Sequence, residues 1–390
     1  MRHNRSTLTS SHHPHKVPYV RLSAWYFFYF AIVGTISPFW TLYLDSLSFN
    51  ASQIGWVTAA VFATKIIAPN VWARVGDVYG RMPVVRVGGV LGVLCFLPIF
   101  IVSDFVSVLV ISLMFSFFWN AVLSQTETTT LGYLTHKPEN YSRIRLWGSL
   151  GFSVAVVLLG LFFDFFSIEF VPVAIAVFLA CNWLMSLTIQ EAPPQKNTQH
   201  STGDGGISIA IVAFLLAQSF VQISHGAYYT FYSLYLQDHG YSRFSIGLLW
   251  ALGVIAEIIL FVYMHRIQRR FSVYAILVVS LILTVLRWLV TAFCVDSLAL
   301  TIFSQTLHAF SFAATHAASI EIIRRYFGHH KQGQGQALYS SMGFGLGGAL
   351  GALISGYIWS VSATLTFLSS ALAAIIALCL VIYASRRLKI

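Results

Sequence analysis

Apolar runs of about 20 residues recur along the chain, separated by short polar stretches that carry most of its charge. A run of this length can cross the hydrocarbon core of a bilayer as one helix. The pattern therefore predicts an all-α membrane protein with twelve transmembrane helices. The predicted spans are Tyr19–Leu44, Gln53–Val71, Val84–Val102, Phe105–Leu131, Leu146–Phe163, Ile168–Ile189, Ile207–Leu236, Ser245–Met264, Val273–Phe293, Leu298–Ile323, Ala337–Trp359 and Ala363–Tyr383.

One long polar stretch, Gln190–Gly206, divides the twelve helices into two groups of six. It reads as a flexible linker. The predicted organisation is a tail (1–18), an N-terminal half (19–189), the linker (190–206), a C-terminal half (207–383) and a second tail (384–390).

The two halves repeat each other at a constant offset. Ile54-Gly55 matches Ile246-Gly247, so the offset is 246 − 54 = 192, and Gly151-Phe152 matches Gly343-Phe344 at the same offset. Six helices per half is an even number, so the two copies insert in the same orientation. The sequence predicts a parallel repeat, as in many transporters.

Composition supports a membrane protein, since 57% of the 390 residues are hydrophobic and only 9% are charged. A soluble domain carries roughly 25% charged residues. The net charge of +10 arises because Lys and Arg collect in the loops on one side. This distribution predicts cytoplasmic termini in a bacterial-type inner (plasma) membrane and argues against nucleic acid as a partner. The opposite loops carry Asp45, Asp104, Asp164, Glu169, Asp238 and Asp296, with Arg243 as their one basic residue.

Cysteine and histidine patterns give no sign of a metal site or a disulfide framework. The four cysteines lie in apolar runs without C-x-x-C spacing, and His12, His13 and His15 lie in the polar tail. We expect no metal, no cofactor other than a proton as coupling ion, and a protein that works as a monomer.

A few ionisable residues interrupt the apolar runs. Glu257 lies in the middle of such a run, where a carboxylate costs about 2.5–3.5 kcal/mol to insert. Lys65 occupies the equivalent position in the first half, since 257 − 65 = 192. Intramembrane charges of this kind are functional candidates, although ion pairs that only hold helices together are the alternative. The others are Glu127, Arg145, Arg287, His308 and His316.

These charges form two predicted groups. Glu127 and Arg145 flank one short hairpin, so antiparallel helices can bring them together to bind a ligand, with a surface salt bridge as the alternative. Glu257, Arg287 and His308 supply the carboxylate, cation and imidazole of a proton relay. We interpret His225 and His316 as hydrogen-bonded packing residues. Aromatic residues including Trp147, Phe152, Tyr228 and Tyr229 are candidates for a cavity wall, with the helix core or the lipid face as the alternative.

Several motifs resemble a known family. The loop A-R-V-G-D-V-Y-G-R-M (73–82) is similar to the major facilitator signature at Asp77, Gly80 and Arg81, although Val78 and Met82 replace expected basic residues. The segments Y-S-R-I-R-L-W-G-S-L-G-F (141–152), G-A-Y-Y-T-F-Y-S-L-Y (226–235) and G-Y-S-R-F-S-I-G-L-L-W-A-L-G-V-I-A-E-I (240–258) resemble its phenylpropionic acid permease-like branch, related to lactose permease and nucleoside:proton symporters.

This resemblance implies proton-coupled uptake by alternating access. Glu127 and Arg145 match the substrate-contacting pair of lactose permease, and Glu257, Arg287 and His308 match its intramembrane Glu, Arg and His. Where that pattern has a proton-carrying Glu one turn beyond the His, this chain has Ser311. Coupling therefore passes to Glu257, or differs in this branch.

We expect a secondary transporter rather than an enzyme, since no nucleophile–base pair or cofactor motif occurs. The expected substrate is an aromatic monocarboxylate such as phenylpropionate, bound by Lys65, Glu127, Arg145 and Phe152, because cations outnumber carboxylates among the buried charges. A sugar or a nucleoside is the alternative, and a passive channel or a non-transporting sensor belongs to a different class.

Overall fold

Helices make up nearly all of the chain in a computed structural model, which describes residues 17–134, 140–192 and 208–388, without the side chains of residues 329–330. Eleven of the described helices are long and apolar enough to cross a membrane. The twelfth, α10, is interrupted along its length. The helices are α1 Tyr19–Ser46, α2 Ala51–Tyr79, α3 Arg81–Ile101, α4 Phe105–Tyr133, α5 Tyr141–Phe165, α6 Ile168–Leu187, α7 Ile209–Asp238, α8 Arg243–Arg270, α9 Val273–Phe293, α10 298–327, α11 Lys331–Trp359 and α12 Ala363–Arg387.

The twelve predicted spans correspond to these helices, but several helices run beyond the apolar window. The predicted span Ser245–Met264 becomes α8, which continues to Arg270. The backbone hydrogen bonds of a helix extend into the polar headgroup region, where charged side chains are solvated and hydropathy gives no signal. Local caps fix the starts: Asn50 and Gln53 form a capping box at α2, and Ser242 accepts a hydrogen bond from Ser245 at α8.

Hydropathy did not predict the interruptions within the helices. Three wide π-helical turns occur, at Ile36–Trp40 in α1, Ala309–Ala314 in α10 and Ser341–Gly347 in α11. Helix α7 is broken by a turn at His225, and Gly328, with φ of 62°, separates α10 from α11. Wide turns of this kind are frequent at functional sites.

The helices form two halves, α1–α6 and α7–α12, whose most extensive contacts are along two interfaces. Helix α2 lies against α11, and α5 lies against α8. The 192-residue offset exchanges these two interfaces, as a parallel repeat requires. Both depend on glycine at equivalent positions: a Cβ on Gly55 would lie 2.9 Å from the Ala352 carbonyl oxygen, and one on Gly247 would overlap that of Val156.

The exact boundaries of halves, linker and tails remain predictions. Residues 1–16, 193–207 and 389–390 are outside the described chain, so most of the predicted linker and both tail ends cannot be placed.

The two halves are joined at one side of the bundle. Twelve crossings place both ends of the described chain on the same side, which we call the terminal side; the opposite side is the far side. Within the described residues, every hydrogen bond between the halves lies on the far side. Trp56 donates to Tyr357, and Arg243 and Phe244 donate to Phe163 and Asp164. The halves are thus closed against each other on the far side.

Candidate functional site

The three residues predicted to handle a proton lie together in the second half. Glu257 of α8, Arg287 of α9 and His308 of α10 form one hydrogen-bonded chain. Arg287 Nη1 lies 2.8 Å from His308 Nδ1, and His308 Nε2 lies 2.6 Å from Glu257 Oε1. Arg287 is fully buried and His308 nearly so, whereas 14% of the Glu257 side chain is exposed. The carboxylate is therefore the accessible end of the chain.

The order of donors along this chain determines where its hydrogen atoms lie. A guanidinium can only donate, so His308 Nδ1 must accept from Arg287. The imidazole hydrogen is then on Nε2 and points at Glu257, which must accept it as a carboxylate. The geometry thus fits a neutral His308 between an ionised Glu257 and a cationic Arg287. Arg287 also donates to Ser311, the residue at the position where the lactose permease pattern has an acid.

Neighbouring residues fix the chain in place. The Arg287 guanidinium lies 4.3 Å from the ring centre of Tyr228 and 4.4 Å from that of Trp288, and both contacts favour a cation. Its Nε and Nη2 atoms have no hydrogen-bond partner within the described residues. Gly253 of α8 lets α10 approach, because a Cβ there would lie 3.1 Å from the His308 ring. The wide turn of α10 begins directly after His308.

Lys65 lies in the first half beside a separate small cavity of about 80 Å³. Its ammonium group lies 4.7 Å from the ring centre of Phe62, and it makes no ion pair with any described residue. Trp40, Trp119 and Tyr229 line the same cavity. An unpaired ammonium group among aromatic rings suits a ligand with an anionic head and an apolar body.

The walls of the Lys65 cavity come from four helices and both halves. The wide turn Ile36–Trp40 of α1 contributes Ser37 and Trp40, and α4 contributes Trp119. Asn120, next to Trp119, donates to Thr64 at 2.8 Å and so fixes α2 beside α4. Tyr229 comes from α7 of the other half.

Tyr229 also lies between this cavity and the chain of Glu257, Arg287 and His308. Its ring lies 6.0 Å from Phe62 on one side and 5.8 Å from His225 on the other, between ring centres. His225 in turn lies 6.3 Å from His308. The Lys65 cavity and the chain of Glu257, Arg287 and His308 are thus separate sites, linked through the rings of Tyr229 and His225.

Glu127 and Arg145 lie near each other, as the hairpin predicts, but no ion pair joins them among the described side chains. Glu127 accepts a hydrogen bond from Tyr141 at 3.1 Å. The Arg145 guanidinium lies 3.8 Å from the ring centre of Phe30 instead. Each charged group thus contacts an aromatic side chain in place of the other charged group. Residue spacing along the chain does not reveal these aromatic contacts.

Two aromatic cavity candidates lie elsewhere. Phe152 of α5 is buried, and its ring centre lies 6.4 Å from that of Trp250 in α8. The Phe152 backbone packs closely against Gly34 of α1. Trp147 is 40% exposed and donates to Tyr19. The structure therefore gives Phe152 a packing position between helices, and its predicted contact with substrate stays a prediction.

The remaining histidines make the local contacts predicted for them. His225 bonds the Val221 carbonyl oxygen at 2.8 Å, and His316 Nδ1 lies 2.8 Å from the Tyr339 hydroxyl.

The loop motif between α2 and α3 forms a polar cluster on the terminal side. Arg81 pairs with Asp77 and donates to Gln125 of α4, both at 2.8 Å. Gly80 has φ of 90°, a conformation that other residues rarely adopt. Glu191, beyond α6, accepts a hydrogen bond from the Met82 backbone at the start of α3. The motif thus joins α2, α3, α4 and the segment after α6.

Comparison with known proteins agrees with this architecture. Residues 19–369 match the model of the MFS_1 like family. The chain is 28% identical over 349 residues to a probable 3-phenylpropionic acid transporter of Escherichia coli (strain K12), covering 87% of this chain and 90% of the relative. It is 24% identical to a maltose permease of Geobacillus stearothermophilus, covering 88% and 89%.

Among solved structures, the fold is similar to that of a mutant of the nucleoside transporter NupG, with a TM-score of 0.81 at 17% sequence identity. The match covers 95% of this chain and all of the other.

Proposed function

The chain belongs to the MFS_1 like family, and on this basis we propose that it carries an aromatic monocarboxylate across the membrane together with a proton. Family membership and the transporter relatives confirm a multi-pass membrane transporter with the twelve-helix major facilitator fold, and they exclude the enzyme class. The observation that carries the finer proposal is the pair of connected sites: an unpaired cation among aromatic rings, and a buried chain ending in one carboxylate.

Lys65 is the proposed anchor for the substrate carboxylate. Its ammonium group has no counter-ion among the described residues, so an incoming carboxylate would neutralise a charge that is already desolvated. Trp40, Trp119 and Tyr229 offer flat apolar faces to an aromatic body. The name of the Escherichia coli relative, a probable 3-phenylpropionic acid transporter, supports this substrate class.

Glu257 is the proposed proton carrier. In the observed arrangement it accepts the only hydrogen that His308 can offer while Arg287 donates to the other ring nitrogen. A proton on the facing oxygen would oppose that hydrogen and break the 2.6 Å contact. Protonation would then free Glu257 and rearrange α8 against α10. Tyr229 provides the contact through which this rearrangement reaches the substrate cavity.

The far-side closure supports transport by alternating access. We propose that the terminal side is the cytoplasmic side of a bacterial inner membrane, as the arginines at the ends of α8, α10 and α12 favour. The observed closure then corresponds to a state that releases substrate inward. When the far side opens, Glu257 takes up a proton from the outer solution, and the monomer is the transporting unit.

A sugar or a nucleoside is the second candidate substrate. The maltose permease relative and the likeness to a nucleoside transporter favour it. Glu127 supplies a hydrogen-bond acceptor suited to hydroxyl groups, although Tyr141 already occupies it.

Uptake into proteoliposomes tests the proposal. Vesicles containing the purified protein receive labelled 3-phenylpropionate, maltose or uridine, with and without an outside-acid pH gradient. We expect saturable, gradient-driven accumulation of 3-phenylpropionate alone. Accumulation of maltose or uridine would replace the substrate class, and uptake that does not saturate would indicate a channel.

The variant Glu257→Gln tests the proton carrier. It should abolish gradient-driven accumulation and retain exchange of labelled for unlabelled substrate, since exchange needs no net proton movement. Glu321→Gln is the matched control, because Glu321 is an acidic residue of α10 held by Arg324 and Arg325 on the terminal side. Normal accumulation by Glu257→Gln would exclude Glu257 as the carrier.

A further inference from the structure

An apolar groove lies outside both sites, where α8, α9 and α10 approach the terminal side. It encloses about 300 Å³, and its walls are almost wholly apolar. Helix α8 contributes Leu260, Met264 and Ile267, Phe271 follows directly after its end, and Ala275 and Val279 of α9 form the opposite wall. Phe271 and Val279 are more than half exposed, so the groove opens on the outer surface of the bundle.

The length of the groove matches one leaflet of a bilayer. The wall formed by α8 and Phe271 runs from residue 260 to residue 271, a separation of eleven residues or about 16 Å at 1.5 Å per residue. The hydrocarbon core is about 30 Å thick, so one leaflet is about half of that. The groove is therefore long enough for the ordered part of one acyl chain that lies parallel to the helices.

Three arginines lie near the terminal-side end of α8, and two of them, Arg266 and Arg270, lie on its exposed side next to the groove. Arg266, Arg269 and Arg270 occupy the last two turns of α8 and are exposed. None of them forms an ion pair with another described residue. By contrast, Arg324 and Arg325 at the end of α10 both bind Glu321. No described side chain therefore neutralises the positive charge beside the groove.

We propose that this groove binds an anionic phospholipid of the terminal-side leaflet. One acyl chain lies in the groove, and the headgroup phosphate binds Arg270, which directly precedes Phe271, with Arg266 one turn away on the same exposed side of α8. Basic pockets between transmembrane helices recognise anionic headgroups, because each arginine near the surface contributes to the attraction. An apolar groove alone would accept any lipid; the unpaired arginines select an anionic one.

Lipid retention measured by native mass spectrometry of the full-length protein tests this site. The protein, purified in neutral detergent, is titrated with phosphatidylglycerol, with phosphatidylcholine of the same chains, and with inorganic phosphate. We expect phosphatidylglycerol to bind at least tenfold more tightly than phosphatidylcholine. Inorganic phosphate at the same concentrations should not displace it, since the acyl chain supplies much of the affinity. Equal affinity for the two lipids, or displacement by phosphate, would overturn the proposal.

Two sets of variants locate the effect. The double variant Arg266→Gln/Arg270→Gln should weaken phosphatidylglycerol binding about 30-fold, or about fivefold per arginine, and leave phosphatidylcholine unaffected. The control Arg386→Gln/Arg387→Gln removes two exposed arginines from the end of α12, a helix that contributes no wall to this groove. Val279→Trp fills the groove and should weaken both lipids. Equal losses in the two arginine doubles, or full binding by Val279→Trp, would contradict this location.

Discussion

Asp164 and Arg243 hold the far side closed by capping each other's helices. Asp164, at the end of α5, accepts hydrogen bonds from the backbone N–H groups of Arg243 and Phe244 at 2.7 and 3.1 Å, at the start of α8. Arg243 returns a bond of 2.6 Å to the Phe163 carbonyl oxygen, at the end of α5. Each charge meets the helix end of opposite polarity.

The variant Asp164→Ala should therefore shift the protein towards an open far side. An N-cap side chain contributes about 0.5–2 kcal/mol, and a charge at a helix start about 0.3–1 kcal/mol, partly the same interaction. Asp164 is exposed, and solvent weakens its interaction, so we expect a loss of about 1 kcal/mol, which lowers the ratio of closed to open molecules about fivefold. The open state has no such contact to lose, so the whole loss falls on the closed state.

Distances between the halves measure this shift. Spin labels at Ser103→Cys and Ser297→Cys, in far-side loops of opposite halves, report opening by double electron–electron resonance; the four native cysteines are first replaced by Ser. Asp104→Ala is the matched control, because Asp104 caps α4 through Ser107 within its own half. Unchanged distances in Asp164→Ala, or equal shifts in both variants, would refute the assignment of a closing contact.

Three further changes test other parts of the structure. Lys65→Gln should raise the KM for 3-phenylpropionate uptake at least tenfold and leave inhibition by the uncharged 3-phenylpropionamide unchanged; an equal loss for both compounds would show that Lys65 supports only the cavity. Gly253→Ala places a Cβ 3.1 Å from the His308 ring and should shift the pH dependence of uptake, whereas Gly333→Ala, with open space around it, should not. Glu191→Gln weakens the cap of α3 and should lower Tm by about 2 °C with transport unaffected, as about 1 kcal/mol predicts for a chain of this size; a larger fall, or loss of transport, would mean that Glu191 does more than cap the helix.

Hydropathy was sufficient for the twelve crossings, because each one requires a continuous apolar run. It did not predict the wide turns in α1, α10 and α11. The position of a wide turn depends on the residues of other helices that pack against it, as Gly253 of α8 packs beside His308 of α10. Those residues are far apart in the sequence, so a local hydropathy window does not detect them.

The two sites were predictable to different degrees. Lys65, Glu257 and Arg287 are conspicuous in the sequence because each is a charged residue within an apolar run. A charged side chain in the hydrocarbon core costs free energy, so such residues are candidates for a functional site. Trp40 and Trp119 were missed because 60 aromatic residues occur in the chain and spacing does not single out any of them. The sequence shows Arg243 as the one basic residue in the acidic far-side loops. Only the fold shows that it meets a helix end of the other half.

The unpaired Lys65 has a consequence for membrane voltage. In the empty transporter, Lys65, Arg287 and an ionised Glu257 leave one net positive charge within the membrane. Loading with a proton on Glu257 and a carboxylate at Lys65 again leaves one. The voltage across the membrane would thus act equally on both moving forms, and only the pH gradient would drive transport. A neutral sugar would leave two positive charges in the loaded form and would give a measurable current. Electrical recording would therefore reveal the charge of the substrate before the substrate itself is identified.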